Sequence, residues 1–250
     1  GFLPSMVFLW FFILSVPTAM LMNRIGRKNT VLLSMLFTFA GMVLPFIDFS
    51  ETSCYVAFAL LGIGNTILQV SLNPLLANVV QGKGLTSSLT AGQFVKAISS
   101  FVGPLLAGYC SAALGNWALM FPIYAVVTLI SSAWLFLTPI QREKVEGENY
   151  SFPATLKLLG DNKILLLFFG ILCVVGLDVG MNTLTPKLLL ERVPGISTES
   201  AGYGTSWYFA ARTIGTFCGA FLLAKLSERG YFRINMIIAM IAVCGLWFAT

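Results

Sequence analysis

The sequence predicts an all-α polytopic membrane protein, in which the helices form a bundle within the bilayer. Of its 250 residues, 57% are hydrophobic and only 10% are charged, whereas a soluble domain carries about 25% charged residues. The mean hydropathy is +0.87. Its apolar runs are long and uniform, which excludes the alternating pattern of a lipid-facing β-barrel. The chain has no His, so triads and zinc sites built on His are also excluded.

Eight stretches contain the roughly 20 mostly apolar residues that a spanning helix needs. In chain order, the predicted spans are residues 2–22, 30–48, 53–79, 87–113, 117–139, 164–188, 200–225 and 233–250. The first five form a predicted N-terminal portion, residues 1–139, and the last three a C-terminal portion, residues 164–250. Between them lies a polar linker, residues 140–163. Part of it could form a short helix on the membrane surface, but a plain linker is favoured.

The distribution of basic residues predicts the orientation of the chain. If Gly1 is outside, only Lys187 and Arg192 fall in outside connections or helix ends, while Lys96 and Arg212 fall within helices. The other eleven of the 15 basic residues then lie in cytoplasmic connections: Arg24, Arg27, Lys28, Lys83, Arg142, Lys144, Lys157, Lys163, Lys225, Arg229 and Arg233. Because cytoplasmic loops are enriched in Lys and Arg, both ends are predicted outside and the linker inside. The same enrichment explains the net charge of +5 without a nucleic-acid partner.

Three charged side chains, those of Lys96, Asp178 and Arg212, fall in the middle third of predicted spans. Each would cost about 2.5–3.5 kcal/mol if it faced lipid alone. We therefore predict that they face one another or a wet cavity, with Asp178 the counter-ion of Arg212, of Lys96 or of both. The alternative is a static ion pair that fixes two helices together.

Polar side chains also recur at helical spacing within four of the predicted spans. Amides, hydroxyls and a carboxylate beside aromatic rings suit a polyhydroxylated ligand such as a sugar. The predicted substrate-binding residues are Asn65, Gln69, Asn73, Gln93, Lys96, Asn182, Tyr208 and Arg212.

The first cytoplasmic turn carries the run NRIGRK, residues 23–28. This run resembles the loop motif G-x-x-x-D-R-x-G-R-K of the major facilitator superfamily. Ala19 and Asn23 stand where the motif has Gly and Asp. The resemblance implies a role in conformational change for Arg24, Gly26, Arg27 and Lys28, with a weaker charge lock to a neighbouring helix.

A longer resemblance is to the fucose permease-like branch of that superfamily, which includes fucose and glucose/galactose permeases. It is carried by the residues Gly62, Gly64, Gln69, Asn73 and Pro74, by residues 193–216 and by the Gly-Leu-Asp run that ends at Asp178. The resemblance implies a major facilitator fold in which these eight helices match family helices two to nine of twelve. The chain would then be an internal piece of a longer protein. It also implies alternating access around a site at the middle of the membrane.

The branch typically has Glu where this chain has Gln69, and Asn where it has Lys96. Gln does not titrate, so Asp178 is predicted to take over ion coupling.

The sequence thus predicts a secondary active transporter that imports a hexose or deoxyhexose, coupled to protons or sodium. An alternative is a permease for an anionic sugar acid or another small organic anion, whose carboxylate would be clamped by Lys96 and Arg212. An integral-membrane enzyme or a non-transporting receptor is a remote alternative. We expect a monomer in the bacterial inner membrane, surrounded by lipid, with no cofactor and no metal site.

Overall fold

The computed structural model describes residues 2–80, 84–141 and 152–249. All regular elements in these ranges are helical, as predicted. The α-helices are α1 (Phe2–Ile25), α2 (Arg27–Ile47), α3 (Glu51–Val79), α4 (Gly84–Leu114), α5 (Met120–Leu137), α6 (Phe152–Lys157), α7 (Asn162–Arg192), α8 (Thr198–Lys225) and α9 (Glu228–Ala249). Short 3₁₀ turns at Trp117–Leu119 and Leu158–Gly160 precede α5 and α7.

Eight of these helices are long, and each matches one predicted span. They begin or end up to five residues away from the predicted limits. Most are longer than predicted because polar flanking residues continue the helix, whereas α5 is shorter because residues 117–119 form a 3₁₀ turn. α1 to α5 and α7 are apolar and long enough to cross a membrane. The apolar stretch of α7 has none of its residues buried within the described protein. Such a surface is stable against lipid and not against water, which makes this a multi-pass membrane protein.

The predicted linker is only partly described. Its C-terminal part forms the short helix α6 and the following 3₁₀ turn, so the helix considered for this segment is present. Residues 142–151 lie outside the described residues, and so do the predicted cytoplasmic residues Lys83, Arg142 and Lys144. Orientation and the division of the chain at this linker remain predictions.

Residue contacts divide the chain into two compact units. One contains residues 1–81 and 104–164, and the other contains residues 82–103 and 165–250. α4 contributes to both units, since residues 84–103 belong to the second and the rest of the helix belongs to the first.

In the first unit, glycines allow the helices to approach closely. A Cβ atom placed on Gly64 of α3 would lie 2.5 Å from the Thr38 hydroxyl oxygen and 2.9 Å from the Ser34 carbonyl oxygen, both on α2. A Cβ atom on Gly62 would lie 2.7 Å from the Trp10 ring on α1. Small residues therefore set the helix spacing here, as is usual in membranes, where apolar side chains gain little by leaving lipid.

Three of the hydroxyl groups buried between these helices each donate to the backbone carbonyl four residues earlier in the chain. The Thr30 hydroxyl donates to the Gly26 carbonyl (2.8 Å), the Thr66 hydroxyl to that of Gly62 (2.8 Å) and the Ser71 hydroxyl to that of Ile67 (2.6 Å). Each of the three hydroxyl-bearing residues is fully buried. Such short polar side chains fill the contact without leaving a buried donor unpaired.

The turn between α1 and α2 binds the ends of two other helices. Gly26 has a φ of 87°, a conformation that favours glycine, and it is the single residue between the end of α1 and the start of α2. The Arg27 guanidinium donates to the Pro74 carbonyl near the end of α3 (2.9 Å). The Lys28 ammonium donates to the carbonyls of Phe136 (2.9 Å) and Thr138 (2.7 Å) at the end of α5. A cation is favourable there because carbonyls at a helix C-terminus carry partial negative charge.

Replacing Lys28 with methionine is expected to lower the free energy of unfolding by about 1 kcal/mol, because two carbonyls at the end of α5 lose their donor. Thermal denaturation of the detergent-solubilised protein measures the change. Lys163→Met is the control, since Lys163 is an exposed lysine at the start of α7. Equal loss in the two variants would show that Lys28 does not stabilise the end of α5.

Candidate functional site

The second unit contains a charged cluster centred on Asp178, midway along α7. The Arg212 guanidinium of α8 donates to Asp178 Oδ2 at 2.9 Å and forms a salt bridge with it. The Tyr208 hydroxyl, also on α8, donates to Asp178 Oδ1. Both carboxylate oxygens are therefore hydrogen-bonded to α8.

The local sequence explains how one carboxylate meets two donors. Tyr208 and Arg212 are four residues apart on α8, so they project from the same face one turn apart. A second contact joins the same helices: the Thr205 hydroxyl donates to the Asn182 carbonyl at 3.2 Å. The side chains of Arg212 and Asp178 are 24% and 32% exposed. The pair is thus partly shielded by the surrounding protein.

Lys96 brings a second positive charge to this cluster from α4. The part of α4 within this unit packs against α8: the rings of Phe94 and Phe217 lie 5.1 Å apart, and the Ser87 hydroxyl donates to the Ala220 carbonyl at 3.2 Å. The Lys96 ammonium interacts electrostatically with both Arg212 and Asp178. The cluster therefore has two cationic groups and one anionic group, with a net charge of +1.

The structure thus brings together four of the predicted site residues: Lys96, Asp178, Tyr208 and Arg212. Asn182 lies one turn beyond Asp178 on α7 and is half-buried, whereas Gln93 is exposed on α4. These six residues belong to the second unit. Their roles in binding and coupling remain predictions.

The polar stripe of α3 belongs to the first unit. Asn65 is half-buried there, while Gln69 and Asn73 are exposed. Their predicted role in substrate binding is untested.

The contact that sequence reasoning did not foresee is the bond from Tyr208 to Asp178. The sequence predicts that Tyr208 contacts substrate, and in the structure its hydroxyl donates to the carboxylate predicted to couple the ion. The spacing from Tyr208 to Arg212 was the available indication, because a residue one turn from a paired arginine can reach the same partner. Within the described residues, no group of three or more His, Cys, Asp and Glu side chains could hold a metal ion.

Fold and site together define a multi-pass helical membrane protein with a charged cluster partway along its helices. The sequence profile of the Major Facilitator Superfamily matches residues 1–250, so the chain belongs to this superfamily.

Two curated relatives are glucose/galactose transporters from Brucella abortus, one from biovar 1 (strain 9-941) and one from strain 2308. Each is 23% identical over 255 aligned residues, a match that covers 92% of this chain and 60% of the relative. Among solved structures, the chain resembles a fucose:proton symporter from E. coli, with a TM-score of 0.73 and 16% identity. That match covers 91% of this chain and 64% of the symporter.

The predicted membership of the major facilitator superfamily is thereby confirmed, and these relatives are transporters by name rather than enzymes. At this level of identity, the solved structure establishes a shared fold alone. The chain spans somewhat under two thirds of the length of these proteins.

Proposed function

We propose that the protein is a secondary active transporter that imports a sugar through the bacterial inner membrane. The supporting observation is the cluster of Asp178, Tyr208 and Arg212, with Lys96 beside it, within helices of a superfamily member. Ionised groups inside membrane helices are costly and commonly mark substrate or ion pathways. The names of the curated relatives, glucose/galactose transporters, favour a neutral hexose as the substrate class.

In the proposed mechanism, two helix bundles alternate around a site at the middle of the membrane. Sugar hydroxyls accept hydrogen bonds from Arg212. They both donate hydrogen bonds to, and accept them from, the side-chain amides of Gln93 and Asn182. Asp178 couples this binding to an ion, because it is the carboxylate paired to Arg212. Ion binding at Asp178 would weaken that pair and free the guanidinium for the sugar.

A sugar acid is a second candidate substrate, favoured by one observation. The cluster has an excess positive charge, because Asp178 balances only one of the two cations, Lys96 and Arg212. A carboxylate on the substrate would neutralise this excess through charge-assisted hydrogen bonds.

Counterflow in proteoliposomes tests the proposed function. The full-length protein is reconstituted with unlabelled sugar inside, and entry of labelled sugar is followed without any ion gradient. We expect counterflow with a neutral hexose or deoxyhexose. If no member of a panel of neutral sugars and sugar acids exchanges, the transporter assignment is wrong.

The variant Lys96→Met separates the two substrate classes. If a carboxylate is recognised, loss of the Lys96 ammonium is expected to weaken sugar-acid exchange about 10-fold or more, since a hydrogen bond between ions exceeds about 1.4 kcal/mol. Exchange of a neutral hexose should change much less. The measurement is the KM of counterflow for each substrate.

A further inference from the structure

The first unit contains a cavity of about 320 Å³ where α2 ends and α5 begins. This volume falls within the range of about 300–1,000 Å³ that is usual for small-molecule sites. The charged cluster belongs to the second unit, so the cavity is a separate feature of the molecule. Its lining comes from the end of α2, the turn after it and the segment that leads into α5: Pro45, Phe46, Phe49, Asn116, Trp117 and Ala118.

Two of the aromatic rings that line this cavity meet nearly at right angles. The ring centroids of Phe49 and Trp117 lie 5.6 Å apart, with 85° between the ring planes. Trp117 also packs against the buried Phe121, with the ring centroids 5.9 Å apart. The segment is fixed by Asn116, whose Oδ1 accepts a hydrogen bond from the Ala118 amide at 2.9 Å. The Trp117 ring is therefore held in place by contacts within the protein.

The chemistry of the lining suits a cation better than a sugar. The face of an aromatic ring carries negative charge density and attracts an ammonium group, most strongly when the ring belongs to Trp. A sugar needs several directional polar groups. Among the described lining residues, Asn116 supplies the polar side chain, and its oxygen already binds the backbone.

Acidic side chains lie at this end of the unit. Asp48 directly precedes Phe49, so its Cα lies about 3.8 Å from that of a lining residue. Glu51 begins α3, and both carboxylates are exposed. The Ser50 hydroxyl donates to Asp48 Oδ2 at 2.7 Å. The basic turn between α1 and α2 lies at the opposite end of α2, so the charge beside the cavity is complementary to a cation.

We propose that this cavity binds the ammonium headgroup of a zwitterionic phospholipid. A lipid fits better than a free amine because apolar side chains on both helices are more than half exposed, namely Ile47 at the end of α2 and Val126 and Val127 about two turns into α5. Acyl chains attached to the headgroup would cover this surface. Aromatic residues are usual at a membrane interface, but here three of them share one cavity. The inference goes beyond the proposed function and does not depend on it.

Native mass spectrometry of the detergent-solubilised full-length protein tests this site. The protein is mixed with equimolar phosphatidylethanolamine and phosphatidylglycerol that carry the same acyl chains, so that the two lipids differ in headgroup alone. We expect the ethanolamine lipid to bind preferentially. In Trp117→Leu this preference should fall about 5-fold, because the ammonium loses a cation–π contact.

Trp134→Leu is the matched control, since Trp134 is exposed near the opposite end of α5 and its variant should keep the preference of the unmodified protein. Equal binding of the two lipids by the unmodified protein would overturn the ammonium assignment. An unchanged preference in Trp117→Leu, or an equal fall in both variants, would overturn the assignment of the cavity. If Trp117→Leu does not fold, Asp48→Asn replaces it: a reduced preference for the ethanolamine lipid supports the proposal, and an unchanged preference contradicts it.

Discussion

Replacing Arg212 with methionine should destabilise the protein by about 3 kcal/mol and abolish sugar uptake. Among the described residues, the variant leaves Asp178 with Tyr208 alone as a hydrogen-bond donor within a membrane helix, and an unpaired charge at that depth costs about 2.5–3.5 kcal/mol. Removing both charges in Asp178→Asn with Arg212→Met should restore most of the stability, because the pair is then replaced by neutral groups. Uptake should stay absent, since neither the coupling carboxylate nor the guanidinium remains.

Thermal denaturation in detergent and counterflow measure these two effects separately. The control is Arg233→Met, which removes an exposed arginine from α9. If the single and double variants melt at the same temperature, the destabilisation by Arg212→Met does not come from an unpaired charge on Asp178. If the double variant accumulates sugar, Asp178 and Arg212 do not perform the proposed coupling.

Replacing Gly64 with alanine is expected to lower the free energy of unfolding by about 1–3 kcal/mol through overpacking. The new methyl group would meet the Ser34 carbonyl oxygen at 2.9 Å and the Thr38 nitrogen at 3.0 Å. These are backbone atoms of α2, so the two helices have to separate. The melting temperature and the yield of folded protein should both fall.

Gly92→Ala provides a matched control on α4. A Cβ atom at Gly92 meets nothing within 4 Å, and alanine is the better helix former by about 1 kcal/mol in aqueous peptides. This variant should be neutral or slightly stabilising. A similar loss in both variants would mean that the effect arises from helix propensity and not from the α2–α3 contact.

The positions of the long helices were predictable because the cost of exposing backbone groups to lipid forces apolar runs of sufficient length into helices. The meeting of Asp178 with Arg212 follows from the same physics, since both charges are expensive alone. The positions of Asp178 and Arg212 along their helices predict similar depths in the membrane. Helical spacing places Tyr208 and Arg212 on one face of α8.

Other contacts had no counterpart in the sequence. Lys28 binds carbonyl oxygens at the end of α5. Because every residue has a backbone carbonyl, the sequence does not indicate which carbonyls the Lys28 side chain contacts. The partner of the Tyr208 hydroxyl was equally open, because a tyrosine among amides and charges could bind either substrate or protein. The exposure of Gln69 and Asn73 also depends on helix rotation, which a single polar stripe does not determine.

The attachment of Asp178 to one helix has a mechanical consequence. Tyr208 and Arg212 lie one rigid turn apart on α8, and each donates a hydrogen bond to a different oxygen of the Asp178 carboxylate. When α8 slides or rotates against α7, it pulls on both bonds at once, and strain in one is carried to the other. The two hydrogen bonds should therefore break together, over a small displacement of α8 relative to α7.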